Sequence, residues 1–288
     1  MTRLLIAVLL LLVPLSLTAA EPAAEAASPF FAMNTGARGG PEVVAPLLEG
    51  LGYAGLGGGP AGAAEMATAL EKRGMKLFNV YVTTNFDAAT PALDDRMRKV
   101  VDDLKGHDSA IWLAVGKVSA DGKTFAHSSA DGDKVALAKL GELADYAEPR
   151  GVKIALYPHT GMWLARVEDG VRVADKLNRP GVGATFNLCH WLKVEGDVDP
   201  APTLKAAMPR LMFVSINGAD GGDTKTLGWK QLIQTLDRGS YDVGKLLATL
   251  RKLGYTGPIG LQAYGIGGDQ RENLTRSMAA WKRISASN

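Results

Sequence analysis

A chain of 288 residues, 47% hydrophobic and 22% charged, has the balance of a globular protein and ample material for one large core. Its net charge of +2 carries no basic stripe or run of like charges, so it lacks the electrostatic footprint of a nucleic-acid binder. Its single cysteine, Cys189, excludes an internal disulfide and leaves stability to the core.

The first residues read as an export signal. Met1-Thr2-Arg3 is a short basic start, residues 4–17 are apolar apart from Ser16, and small residues precede Glu21-Pro22. The apolar run is shorter than the roughly 20 residues needed to span a bilayer. Residues 1–20 are therefore expected to be a signal peptide and 21–28 (EPAAEAAS) a disordered tail. The folded domain is expected over 29–288, in a protein that is periplasmic or extracellular and free of the membrane once the signal is removed.

From residue 30 the chain settles into a rhythm. FFAMN at 30–34 reads as a strand, and a Gly-rich loop leads to a helix opened by Pro41 and closed by Gly52. A short strand at 53–56 runs into Gly57-Gly58-Gly59-Pro60, and the helix at 62–73 stops at Gly74. The pattern repeats with strands at 76–82, 111–115, 152–156, 182–186, 211–216 and 258–262. The helices between them are expected at 91–104, up to 150, 166–177, 200–208, 243–253 and 272–284. Strands alternating with helices imply a parallel sheet, and eight such units in this length most simply close into a single (β/α)8 barrel. A doubly wound open sheet is the alternative. It lacks a Gly-x-Gly-x-x-Gly turn in the required context, because Gly57-Gly58-Gly59 is followed by Pro60.

A barrel converges the carboxyl ends of its strands on one mouth. The polar residues expected there are Asn34, Tyr81, Lys117, Tyr157, His159, Asn187, His190, Asn217 and Gln262. The histidines suit proton exchange near neutral pH, and the amides offer both donors and acceptors to a polar ligand. Trp163 and Trp191 are candidates to stack on a ligand, and Lys117 and Arg238 to hold an anionic group. Cys189 reads as a buried, inert thiol. No expected strand in the second half ends in Asp or Glu, so the paired carboxylates of a glycosidase are a poor fit.

Residues 150–265 resemble the xylose-isomerase-like, or sugar phosphate isomerase/epimerase, barrels. FNLCHW places Asn187 and His190 in that family's Asp-x-x-His frame at strand six. SINGAD places Asn217 and Asp220 in its His-x-x-Asp frame at strand seven. LDRGSYD keeps Gly239 and Asp242 in register, and Gln262 in YTGPIGLQ takes the place of the Glu that ends strand eight. The resemblance implies a barrel acting on a carbohydrate, with His190 near substrate oxygen. It also implies a divalent metal such as manganese or zinc as the family default, held by Glu, Asp, His and Glu. The matching positions here read Tyr157, Asn187, Asn217 and Gln262, so no metal or other cofactor is expected.

The resulting expectation is an exported isomerase- or epimerase-like protein acting on a small carbohydrate or keto-sugar. His159 and His190 transfer the proton, and Asn34, Lys117, Tyr157, Asn187, Trp191, Asn217, Arg238 and Gln262 bind substrate. The alternative is a non-catalytic carbohydrate-binding barrel derived from such an enzyme.

Overall fold

A computed structural model describes residues 28–286. The expected signal peptide and nearly all of the expected tail lie outside them. Eight parallel strands form the wall: β1 Phe30–Met33, β2 Gly55–Gly58, β3 Lys76–Asp87, β4 Ala110–Ala120, β5 Lys153–Leu156, β6 Val182–Asn187, β7 Leu211–Ile216 and β8 Ile259–Leu261. Each pairs with the next, and β1 pairs with β8 (Phe30 opposite Ile259), so the sheet closes on itself as a single (β/α)8 barrel. Among the described residues no helix is long and apolar enough to cross a membrane.

Both faces of the wall are buried, and alternation decides which side chain goes where. In β1, Phe30 faces the helices and stacks on Trp281 at 4.2 Å, while Phe31 faces the barrel axis. Phe31, Phe78, Trp112 and Phe213 fill the barrel interior; Phe31 stacks on Phe78 at 4.6 Å and Trp112 meets Phe213 edge-on at 5.5 Å. Gly260 makes room for this plug, because a Cβ there would lie 2.7 Å from the Phe31 ring.

Two departures from the expected elements matter for the site. β3 and β4 continue past the expected ends at 82 and 115, and they pair to Asp87 and Ser119 above the barrel because Phe86 and Val118 bury each other there. A two-residue strand, Lys123–Thr124, folds back on β4. The second departure is a helix, Leu188–Val194, that begins directly at the end of β6, where the residues had read as the polar end of a strand. A further short helix, Trp229–Leu232, lies inside the long loop after β7.

Candidate active site

The carboxyl ends of the strands enclose a cavity of about 540 Å³. Met33, Asn34 and Thr35 line it from β1, Gly59 and Pro60 from the turn after β2, and Tyr81 from β3. Tyr157 and His159 follow β5, Cys189 and His190 follow β6, Trp229 and Ile233 come from the loop after β7, and Gln262 and Tyr264 follow β8. A larger groove of about 890 Å³ lies between the outer helices Pro41–Leu51 and Ala63–Glu71 and shares no lining residue with this cavity.

His159 and His190 lie against each other on one wall, their ring centroids 4.1 Å apart. Thr160 bonds to both. Its carbonyl accepts from His159 Nδ1 at 2.8 Å, which requires the proton on that nitrogen and leaves Nε2 as a free acceptor. Its backbone N–H donates to His190 Nδ1 at 3.4 Å, with Thr160 Oγ1 at 3.2 Å, which places the His190 proton on Nε2. One free nitrogen of the pair therefore accepts and the other donates. Burial lowers the His159 pKa from the usual imidazole value of 6.5. His190 goes further down, through burial and the neighbouring His159. Both rings are neutral at pH 7.

Beneath them lies a neutral hydrogen-bond network. Gln262 Oε1 accepts from Thr35 Oγ1 at 2.8 Å and from the N–H groups of Ala263 and Tyr264, both at 3.0 Å. The Tyr157 hydroxyl is bonded to the side chains of Gln262 and Ser215; burial pushes its pKa well up, so it stays protonated. Ser215 Oγ donates to Asn187 Oδ1 at 3.0 Å, and Asn187 Nδ2 donates to Thr185 Oγ1 at 2.9 Å and to the Pro158 carbonyl at 3.3 Å. Asn217 Nδ2 donates to the carbonyls of Leu232 and Gly218 at 2.7 and 2.9 Å. The polar atoms of Tyr157, Asn187 and Gln262 are thus largely spent on neighbouring side chains and on backbone, whereas the buried Asn217 Oδ1 has no partner among the described residues. Among the described residues no three His, Cys, Asp or Glu side chains stand together as a metal site.

The structure brings His159, His190, Asn34, Tyr157 and Gln262 to the cavity and leaves five expected binders off its wall. Asn187 and Asn217 are fully buried and turned into the network just described. Trp191 packs on Phe186 at 5.5 Å in the outer core. The helix explains the divergence of neighbours: successive residues turn by about 100°, so His190 faces the cavity and Trp191 does not. Trp163, the other candidate for stacking, is fully buried. Lys117 is exposed on the extension of β4, and Arg238 is exposed in the long loop. Cys189 does line the cavity, but burial pushes its thiol up to about 12, so it is no nucleophile.

Sequence reasoning missed Thr35, Thr160, Trp229 and Tyr264 as site residues. Thr160 and Tyr264 were within reach, being the next residue after His159 and the second after Gln262. Nothing in the pattern of the loop after β7 marks Trp229.

The family model of the xylose isomerase-like TIM barrel matches residues 48–284. The chain belongs to that family. Among solved structures, the IOLI protein, crystallised with a zinc atom, superposes with a TM-score of 0.71 at 14% identity over 90% of this chain and 98% of its own. An L-ribulose 3-epimerase gives 0.70 at 10% identity over 90% and 95%. The 3-keto-D-glucoside 4-epimerase YcjR of E. coli gives 0.67 at 15% identity over 89% and 99%. At such identities the likeness is one of fold. No curated protein matches the chain by sequence. Tyr157, Asn187, Asn217 and Gln262, the positions that the sequence resemblance matches to metal ligands, fall at successive strand ends, with Tyr157 after β5, Asn187 ending β6, Asn217 after β7 and Gln262 after β8.

Proposed function

We propose that this protein is an exported sugar isomerase that moves a proton along one face of a small keto-sugar with its two histidines. The observation that carries the reading is the pair of complementary tautomers set by Thr160 on one wall of the cavity. His159 Nε2 takes a proton from the carbon next to the carbonyl, the C–H electron pair becomes the C=C bond of an enolate, and the carbonyl oxygen gains the charge. His190, a neutral imidazole, donates a hydrogen bond from Nε2–H to that oxygen; it polarises the carbonyl and keeps its own proton. After a proton passes between the two substrate oxygens, the His159 imidazolium returns its proton to the adjacent carbon. Its lowered pKa favours the return.

The wall across the barrel supports transfer on a single face. There β1 and β2 supply Asn34, Thr35, Gly59 and Pro60, none of which titrates near neutrality. Inversion at one carbon by two bases needs a proton donor on that side. Asn34 and Thr35 suit sugar hydroxyls instead.

The residues at the family's metal positions do not fit a divalent cation. Such a cation wants anionic oxygen, or imidazole and thiolate, and this chain offers a protonated phenol and three neutral amides, of which only the buried Asn217 Oδ1 has no hydrogen-bond partner among the described residues. The proposed reaction therefore runs without a metal.

The test is proton exchange. The mature protein is incubated in D2O, with EDTA, with a panel of ketohexoses and ketopentoses, and the sugar C–H signals are followed by NMR. Deuterium incorporation next to a carbonyl, with aldose product and no inverted ketose, is expected. Exchange that needs added manganese or zinc overturns the metal-free reading. Saturable binding of these sugars with no exchange assigns the chain to the carbohydrate-binding alternative.

A further inference from the structure

We propose that Trp229 and Tyr264 form an aromatic lip that stacks on a second sugar ring, so that the ligand is a disaccharide or glycoside whose keto unit enters the chamber of the histidines. The inference rests on the sugar reading above and names its substrate class.

Four large hydrophobic side chains are exposed among the described residues, and two of them, Trp229 at 38% and Tyr264 at 64%, line the cavity. They stand on the neighbouring loops after β7 and β8. Exposed aromatic surface beside a cavity is the mark of a ligand groove, and aromatic faces suit the C–H faces of sugar rings. The lip is held in place before any ligand arrives. Trp229 opens a short helix that ends at the buried Leu232 and is followed by the buried Ile233. Asn217 Nδ2 grips the Leu232 carbonyl at 2.7 Å, and Gly218 and Gln234 exchange backbone hydrogen bonds of 3.1 and 2.7 Å just beyond it. The loop can approach this closely only at a glycine, because a Cβ on Gly218 would lie 2.2 Å from the Thr235 carbonyl oxygen. The indole also meets the His190 ring edge-on at 5.6 Å, which makes the lip continuous with the reacting wall. Tyr264 donates its N–H to Gln262 Oε1 at 3.0 Å, while its hydroxyl makes no hydrogen bond among the described residues. A ring bound outside the chamber would cover both aromatic faces and reach that hydroxyl.

The experiment is calorimetric titration of the mature protein with D-fructose and D-glucose against lactulose, maltose and cellobiose. It is repeated with Tyr264→Ala and Trp229→Ala after circular dichroism has shown both to be folded. At least one disaccharide is expected to bind about tenfold tighter than its matching monosaccharide, a ratio of the size that aromatic packing supplies, and each variant should cut that ratio severalfold. Equal affinity for mono- and disaccharides, or a preference that survives in both variants, overturns the lip and leaves the sugar site standing. The absence of heat with every sugar overturns the sugar reading and the lip with it.

Discussion

Two adjoining sectors of one barrel mouth are built on opposite plans. The wall after β5 and β6 carries titratable nitrogens that are buried, neutral and pressed together, with His159 and His190 at 4.1 Å. The wall after β7 and β8 carries amides tied into the fold, Asn217 and Gln262, and above them exposed rings, Trp229 and Tyr264. The first sector has groups left over for chemistry, and the second has surface left over for recognition. The difference follows from which side chains line the cavity and which are turned into the network beneath it.

The two sectors differ most visibly at the histidines. Replacing His159 with Gln keeps a similar volume and removes the base, so turnover of any sugar found to exchange should fall by about 10²- to 10⁴-fold, with sugar affinity held within a fewfold. A loss confined to affinity would move His159 from chemistry to recognition.

The pH dependence of stability sharpens the same contrast. The folded state holds His190 below its ordinary 6.5, so the unfolded chain binds more protons between those two values. The contribution is complete above about pH 6.5 and is lost as the pH falls from there toward the folded-state value. Denaturant midpoints should therefore decline on acidification from pH 7 in the native protein, and decline less in His190→Gln. Parallel declines in the two proteins would show that other groups carry the acid sensitivity.

The smallest effect belongs to Thr160, a positioning residue. Long-range 1H–15N correlation should find the bare nitrogen of His159 at Nε2 and that of His190 at Nδ1. Thr160→Val removes the hydroxyl and keeps both backbone bonds, so it should weaken the His190 assignment alone and slow turnover by at most about tenfold. Identical spectra in the variant would show that the backbone suffices to set the tautomers.

Most of the barrel was legible in the sequence, because buried parallel strands are short apolar runs punctuated by glycines and helix starts, and such runs survive without an alignment. The site was legible only as a set of strand ends. Asn187, Asn217 and Gln262 each sit at the expected strand end, yet only Gln262 reaches the cavity, since an amide's bonding partners are set by the fold around it. His190 and Trp191 were separated by a helix that apolar residues alone do not distinguish from a strand's continuation. Lys117 moved away from the mouth because β4 runs on to Ala120, an extension decided by the pairing of Phe86 with Val118 across two strands.

The aromatic plug gives the site one further property. Phe31, Phe78, Trp112 and Phe213 close the barrel beneath Tyr157, so the chamber communicates with solvent past the lip. In the proposed reaction substrate, product and water share that passage, and a bound sugar obstructs it. A proton held on His159 during turnover is then shielded from the bulk for as long as the sugar stays. Isotope originally carried by the substrate should in part return to the product, and the fraction that returns becomes a clock for how long the passage stays shut.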